Sequence, residues 1–164
     1  CYFAEVTELL AVEGLPCPEL LSLLLNSLHA LDRLERPLKL VKAAFELRAM
    51  CLAGYEPLLD ACAVCGCPTP EEPRFHLREG VLHCVGCQGS VGEGISLPLN
   101  SGSLAAMRHI VYGDPKRLFS FRLDGAGLDA LAGVAEAYLL TQLERGFRTL
   151  DFYKSLTLVP PDHP

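Results

Sequence analysis

Apolar residues recur at helical spacing along most of the chain, and the pattern breaks once, between about residues 55 and 100. Tyr2, Phe3, Val6, Leu9 and Leu10 predict a first helix over residues 1–13, with Gly14 as its stop. Pro18 suits the first turn of a second helix, which runs to about Arg33. Its leucines, from Leu20 to Leu31, wrap most of the circumference, so the helix is expected in the core. Pro37 opens a third helix that ends near Ala53, with Gly54 behind it. Leu38, Val41, Phe45 and Leu52 form its expected inward stripe. Lys39, Lys42 and Glu46 form the outward one, and Arg36, Lys39, Lys42 and Arg48 read as a solvated basic face. Beyond the break, Ser101 or Ser103 caps a fourth helix that ends at Gly113. Residues 116–123 fit a short strand or a short helix equally. Asp124 caps a final long helix carrying Leu128, Leu131, Val134, Ala135, Tyr138, Leu139 and Leu143. Gly146 ends or bends it. Residues 147–156 add a helical turn or two, and residues 157–164 form a flexible tail.

Within the break the periodicity changes to two. Phe75 and Leu77 alternate with His76 and Arg78, Glu79 and Gly80 supply a turn, and Val81 and Leu82 return. This hairpin lies between two C-x-x-C pairs, Cys62 with Cys65 and Cys84 with Cys87; eighteen residues separate Cys65 from Cys84. That is four-cysteine zinc spacing. Each pair aims two thiolates at one point, and two pairs complete a tetrahedron. Gly66 lets the backbone fold tightly behind the metal. Four thiolates make a closed, structural site, because catalysis needs an open coordination position. Two disulfides are the competing reading, but nothing else in the chain suggests an oxidising compartment. A redox-active C-x-x-C belongs to a βαβ context that is absent. Cys67 is a spare thiol, badly spaced from Cys65 for chelation. His83, next to Cys84, is expected to point away from the metal at the surface. The glycine-rich passage through Gly89, Gly92 and Gly94 reads as a loop back to the helices.

The composition fits this mainly α picture. Half of the 164 residues are hydrophobic and few are aromatic, which suits aliphatic helix packing. The net charge of −6 makes the chain a poor nonspecific binder of nucleic acid. Residues 1–35 hold six acids and only Arg33, whereas basic groups gather late, at Arg108, Lys116, Arg117 and Arg122 and then at Arg145, Arg148 and Lys154. No stretch is apolar enough to span a membrane. The chain begins at Cys1, as a fragment or a processed chain would, with something N-terminal missing. No nucleophile elbow, phosphate loop, dinucleotide fingerprint or H-E-x-x-H occurs, so the protein is not expected to be an enzyme. The Gly125-Ala126-Gly127 run lacks the strand and third glycine of an anion site and reads as a flexible approach to the last helix. His29 reads as a satisfied or edge residue of the second helix.

The order of these features resembles one family. A helix ending in Leu52, Ala53, Gly54, Tyr55, Glu56 and Pro57 runs into Cys62, Cys65 and Gly66. A hairpin with Glu79, Gly80, Val81 and Leu82 runs into Cys84 and Cys87. A helical remainder then closes with Ala137, Tyr138 and Leu139 and with Arg148, Thr149 and Leu150. This resembles the zinc-containing branch of the RecO family of bacterial DNA repair proteins. The resemblance implies a helical bundle domain, residues 1–59 and 95–156, with a four-cysteine zinc ribbon inserted at residues 60–94. It implies one structural Zn²⁺ on Cys62, Cys65, Cys84 and Cys87. It implies a recombination mediator that anneals strands and helps load RecA, acts with RecR, binds the C-terminal tail of single-strand-binding protein, and works in the bacterial cytoplasm at the nucleoid. DNA, single- and double-stranded, would be held mainly by an N-terminal OB-fold that this chain lacks, so DNA binding by the chain alone is expected to be weak. A tail with acidic residues and an aromatic terminal carboxylate needs an apolar groove with a cationic rim, for which Arg145, Arg148 and Lys154, near Tyr138, Phe147 and Phe152, are the candidates. A free-standing zinc-ribbon interaction module and a zinc-thiol redox sensor using Cys67 are the alternatives.

Overall fold

The computed structural model describes residues 2–157. It is mostly helical: α1 (Tyr2–Leu10), α2 (Pro18–Asp32), α3 (Leu38–Leu52), α4 (Ser101–Tyr112), α5 (Gly125–Leu143) and α6 (Arg148–Thr157). Between α3 and α4 lie three short strands, β1 (Pro73–His76), β2 (Val81–Cys84) and β3 (Ser96–Pro98). The expected tail begins one residue inside α6, and the rest of it, residues 158–164, lies outside the described residues. No helix among the described residues is long and apolar enough to cross a membrane.

The bundle is built around α3, which packs on α5, α2, α4 and α1. Being surrounded, α3 buries every residue from Leu40 to Leu47 and then Ala49 and Met50. The expected stripes hold in part: Val41 and Phe45 are buried and Lys39 is exposed, but the rest depart. Leu38 and Leu52 are exposed at the two ends, while Lys42 and Glu46 are buried in the middle. Nor is the basic set a solvated face. Arg36 donates to the Phe121 carbonyl and Arg48 to the Val111 carbonyl, and only Lys39, paired with Asp129, stays well exposed. The leucine-rich α2 departs in the opposite sense. It lies at the edge of the bundle against α1 and α3, so Leu20 and Leu23 are buried while Leu21, Leu25 and Leu28 face outward.

Local signals placed the helix ends. Asp124 caps α5 by accepting from the Gly127 amide, and a Cβ on Gly127 would sit 2.8 Å from the capping oxygen. Gly125 and Gly127 are therefore the first turn of α5 rather than an approach to it. The cap of α4 is Asn100, not a serine; Ser103 closes the reciprocal capping box three residues on. Glu144, at φ 50°, ends α5 ahead of Gly146. Residues 115–117 form one 3-10 turn, which resolves the first part of the undecided 116–123 stretch as helical.

The hairpin forms as expected, with Phe75 opposite Leu82 and His76 opposite Val81. The glycine-rich passage is more than a loop. Residues 85–90 make a 3-10 segment, and β3 pairs antiparallel with β1 to give the order β2-β1-β3. Both faces of β1 are covered, Phe75 by Tyr138 of α5 and His76 by the loop at Gly94, which is why the two are buried despite their alternation.

Candidate metal centre

Two elements bring the four cysteines together. The first pair sits on a tight knuckle: the Gly66 amide donates to the Cys62 carbonyl at 2.9 Å, and the Cys62 amide to the Cys67 carbonyl at 2.8 Å. Gly66 has φ 73°, a conformation that a side chain resists. The second pair leaves the end of β2 and enters the 3-10 segment, Cys84 on the strand and Cys87 one turn on. The ladder joins them, since the Ala63 amide donates to the Leu82 carbonyl at 2.8 Å.

The four sulfurs lie within 4.8 Å of one another. A tetrahedral Zn–S shell with bonds of about 2.3 Å needs sulfurs about 3.8 Å apart, so the group is of the right size. Cys65 and Cys84 are 3.6 Å apart, far beyond a disulfide bond of about 2.05 Å. Disulfides are thus the poorer account. Burial raises the Cys62 thiol, but amide donors from Cys65, Cys84 and Val64 outweigh it and hold this thiol down at about 6. Burial and the neighbouring sulfurs push Cys84 up to about 12 and Cys87 up to about 11. Cys62 is thus ready for a cation as a thiolate, whereas Cys84 and Cys87 give up their protons only to one. Cys67 stands outside the cluster and lines a cavity with Thr69, Pro70, Glu71, Glu72, Cys84 and Val85.

His83 is fully buried, against the expectation of a surface residue. Its Nδ1 is 2.9 Å from the Cys84 carbonyl and its Nε2 2.7 Å from Ser96 Oγ. A carbonyl only accepts, so the proton sits on Nδ1 and the Ser96 hydroxyl donates to Nε2. His83 thereby staples β3 to the backbone of a cysteine in the cluster. The sequence hides this because β3 is only three residues long, in a glycine-rich stretch.

The ribbon is held to the bundle by α4 and α5. Arg108 donates to the carbonyls of Leu59, Asp60 and Pro68, and Tyr112 accepts from the Leu59 amide and donates to the Pro57 carbonyl. These two residues are four apart beside the apolar stripe of α4, a spacing that was legible but carried no chemistry. From α5, Gln142 donates to the Leu77 and Arg78 carbonyls, and Tyr138 packs edge-on against Phe75 at 5.1 Å.

The late basic residues have different surroundings. Arg145 precedes α6 and lies over the ring of Phe147, so it does not share a helical face with Arg148. Phe147 and Tyr138 are buried core residues in different places. Lys154 pairs with Glu136 of α5. Arg148 and Phe152 remain exposed, one turn apart on α6. Phe152 borders an apolar groove of about 360 Å³, with Tyr2, Phe3, Leu28, Leu31, Leu38 and Lys42 among its walls.

A helical bundle with an inserted, ribbon-like four-cysteine module defines the class. Residues 1–151 match the family described as Recombination protein O C terminal, and the chain belongs to that family. A DNA repair protein RecO of Acetivibrio thermocellus is 31% identical over 157 residues, covering 94% of this chain and 61% of that protein. One of Anaeromyxobacter sp. (strain K) is 44% identical over 107 residues, 65% of this chain and 41% of that protein. One of Alkaliphilus metalliredigens is 27% identical over 156 residues, 94% of this chain and 63% of that protein. The chain thus spans less than two thirds of the length of these relatives.

Proposed function

We propose that this chain is the C-terminal part of a DNA repair protein of the RecO kind. In this reading it acts as a docking module of a recombination mediator and not as an enzyme, in concert with RecR. The ribbon, loaded with one structural zinc, stiffens the linker between α3 and α4. The helical part takes the acidic C-terminal tail of single-strand-binding protein. DNA contact by this chain is weak and salt-sensitive, as its charge of −6 suggests.

The observation that carries the docking reading is the groove beside α6. It offers aromatic and leucine walls to an apolar terminal side chain, and Arg148 stands one turn from Phe152, where an acidic segment would pass. This moves the site from the expected Arg145, Arg148 and Lys154 set to Arg148, Phe152 and the groove walls. Fluorescence anisotropy with a labelled acidic peptide ending in phenylalanine tests it. Phe152→Ala should weaken binding roughly tenfold or more, for an aromatic face half-buried by the ligand. Arg148→Ala should weaken it by about fivefold, the upper range for an exposed ion pair. Unchanged affinity in both variants would place the tail elsewhere.

A further inference from the structure

Glu46 lies at the centre of the bundle, with no exposed surface. Its Oε1 accepts from the Tyr2 hydroxyl and from Lys42 Nζ, each at 2.7 Å. Its Oε2 is buried and has no partner among the described residues. Lys42 Nζ is shared with Glu136 Oε2, also at 2.7 Å, and the other oxygen of Glu136 meets Lys154. The titratable groups facing Glu46 are thus Tyr2 from α1, Lys42 on its own helix and Glu136 from α5. Lys154 of α6 stands behind Glu136. Glu5, bonded to Thr149, lies beyond Tyr2. Two carboxylates and two ammonium groups balance in this cluster. Tyr2 and Lys42 are at the same time part of the groove wall.

Building on the docking reading above, we infer that the groove takes up a proton with its anionic ligand: as a peptide's terminal carboxylate settles against Lys42, Glu46 becomes a carboxylic acid. A third carboxylate would leave the cluster with one excess negative charge in a poorly solvated interior, where such an excess is costly. The proton comes from solvent and binds Oε2, the oxygen whose lone pairs are unused. No covalent bond of the protein breaks, and the Lys42 hydrogen bond to Oε1 is given up. Oε1 keeps the Tyr2 hydroxyl, and the Lys42 ammonium is left to Glu136 and the ligand. Glu136 does not take this proton, because it is less buried and receives two ammonium donors, which hold its carboxyl below the ordinary range despite partial burial. Burial already lifts Glu46 to about 7, against the opposing pull of Lys42 and Tyr2, so the uptake occurs near neutrality.

The sign is fixed by linkage. An anion beside Glu46 raises its carboxyl further, so complex formation binds protons and affinity falls as pH rises above neutrality, by up to about tenfold per pH unit. Calorimetry on the zinc-loaded chain with a short acidic peptide ending in phenylalanine, run at pH 8 in buffers of different ionisation enthalpy, counts the protons. Uptake approaching one proton per peptide is expected, with none for the same peptide as its C-terminal amide. Glu46→Gln should bind the free-acid peptide with no uptake, with a flat pH profile, and more tightly than the parent at pH 8. Should that variant not fold, the parent's proton count and the amide peptide still decide. Binding without uptake and with the same affinity across neutral and alkaline pH overturns the inference and leaves the groove reading standing. Uptake that persists in Glu46→Gln also overturns it. Absence of peptide binding at any pH overturns both.

Discussion

Replacing Lys42 by methionine tests the centre of the bundle. The Lys42 side chain is 7% exposed and is held at 2.7 Å by Glu46 and by Glu136. Burial alone would depress the lysine, but the two carboxylates more than reverse this and raise it. Methionine keeps most of the volume and removes the charge. Glu136 retains Lys154, whereas Glu46, 0% exposed, is left with the Tyr2 hydroxyl alone. Breaking a buried pair from one side costs about 3–5 kcal/mol, because the remaining charge is uncompensated. For a chain of this size that corresponds to a fall in Tm of roughly 10 °C or more. The cost must depend on pH. In the parent, Glu46 is raised to about 7, so its contribution to stability is greatest below the unfolded carboxyl value of about 4.3 and is lost as pH rises through about 7. Without Lys42 the carboxyl rises further, so the gap between variant and parent widens from pH 6 to pH 8. Urea unfolding at both values measures it, and Lys42→Met with Glu46→Gln should recover much of the loss. A cost under about 1 kcal/mol, or one equal at both pH values, would refute the account of an uncompensated buried charge.

Two further outcomes concern the ribbon. The reduced chain should bind one zinc, with affinity falling as pH falls, because the raised Cys84 and Cys87 thiols must lose protons to the metal. Chelation should speed amide exchange across residues 60–98 while helical circular dichroism persists, since most of the shared core is built from helix residues; elemental analysis giving no zinc would remove the metal reading. Gly80 has φ 64°, and a Cβ there would lie 2.7 Å from the Tyr138 hydroxyl, itself bonded to the Tyr55 carbonyl at 3.1 Å. Gly80→Ala should cost about 2 kcal/mol, from left-handed strain and a displaced hydrogen bond, and an unchanged thermal midpoint would contradict the packing of ribbon on α5.

What could be read from the chain alone was local. The C-x-x-C pairs, the hairpin between them, Pro18 and Asp124 at helix starts and Gly54 at an end all act through neighbours a few residues away, and the structure has them where the spacing put them. Zinc-ligand geometry belongs to this class, because each C-x-x-C turn orients its own two sulfurs. What depended on distant neighbours was not legible. A lysine and a glutamate four apart on a helix make the same pattern on a surface as in a core, and only the packing of α5 and α1 against α3 decides that Lys42 and Glu46 are buried. The leucines of α2 show the converse, an apolar circumference covered only where partners happen to lie. His83 and His76 were hidden in the same way, since a strand face is judged by alternation until a third strand or a loop closes over it. Periodicity measures what a residue's neighbours along the chain can do, whereas burial is set by how many other segments arrive from elsewhere, and the charge state of Glu46 follows burial.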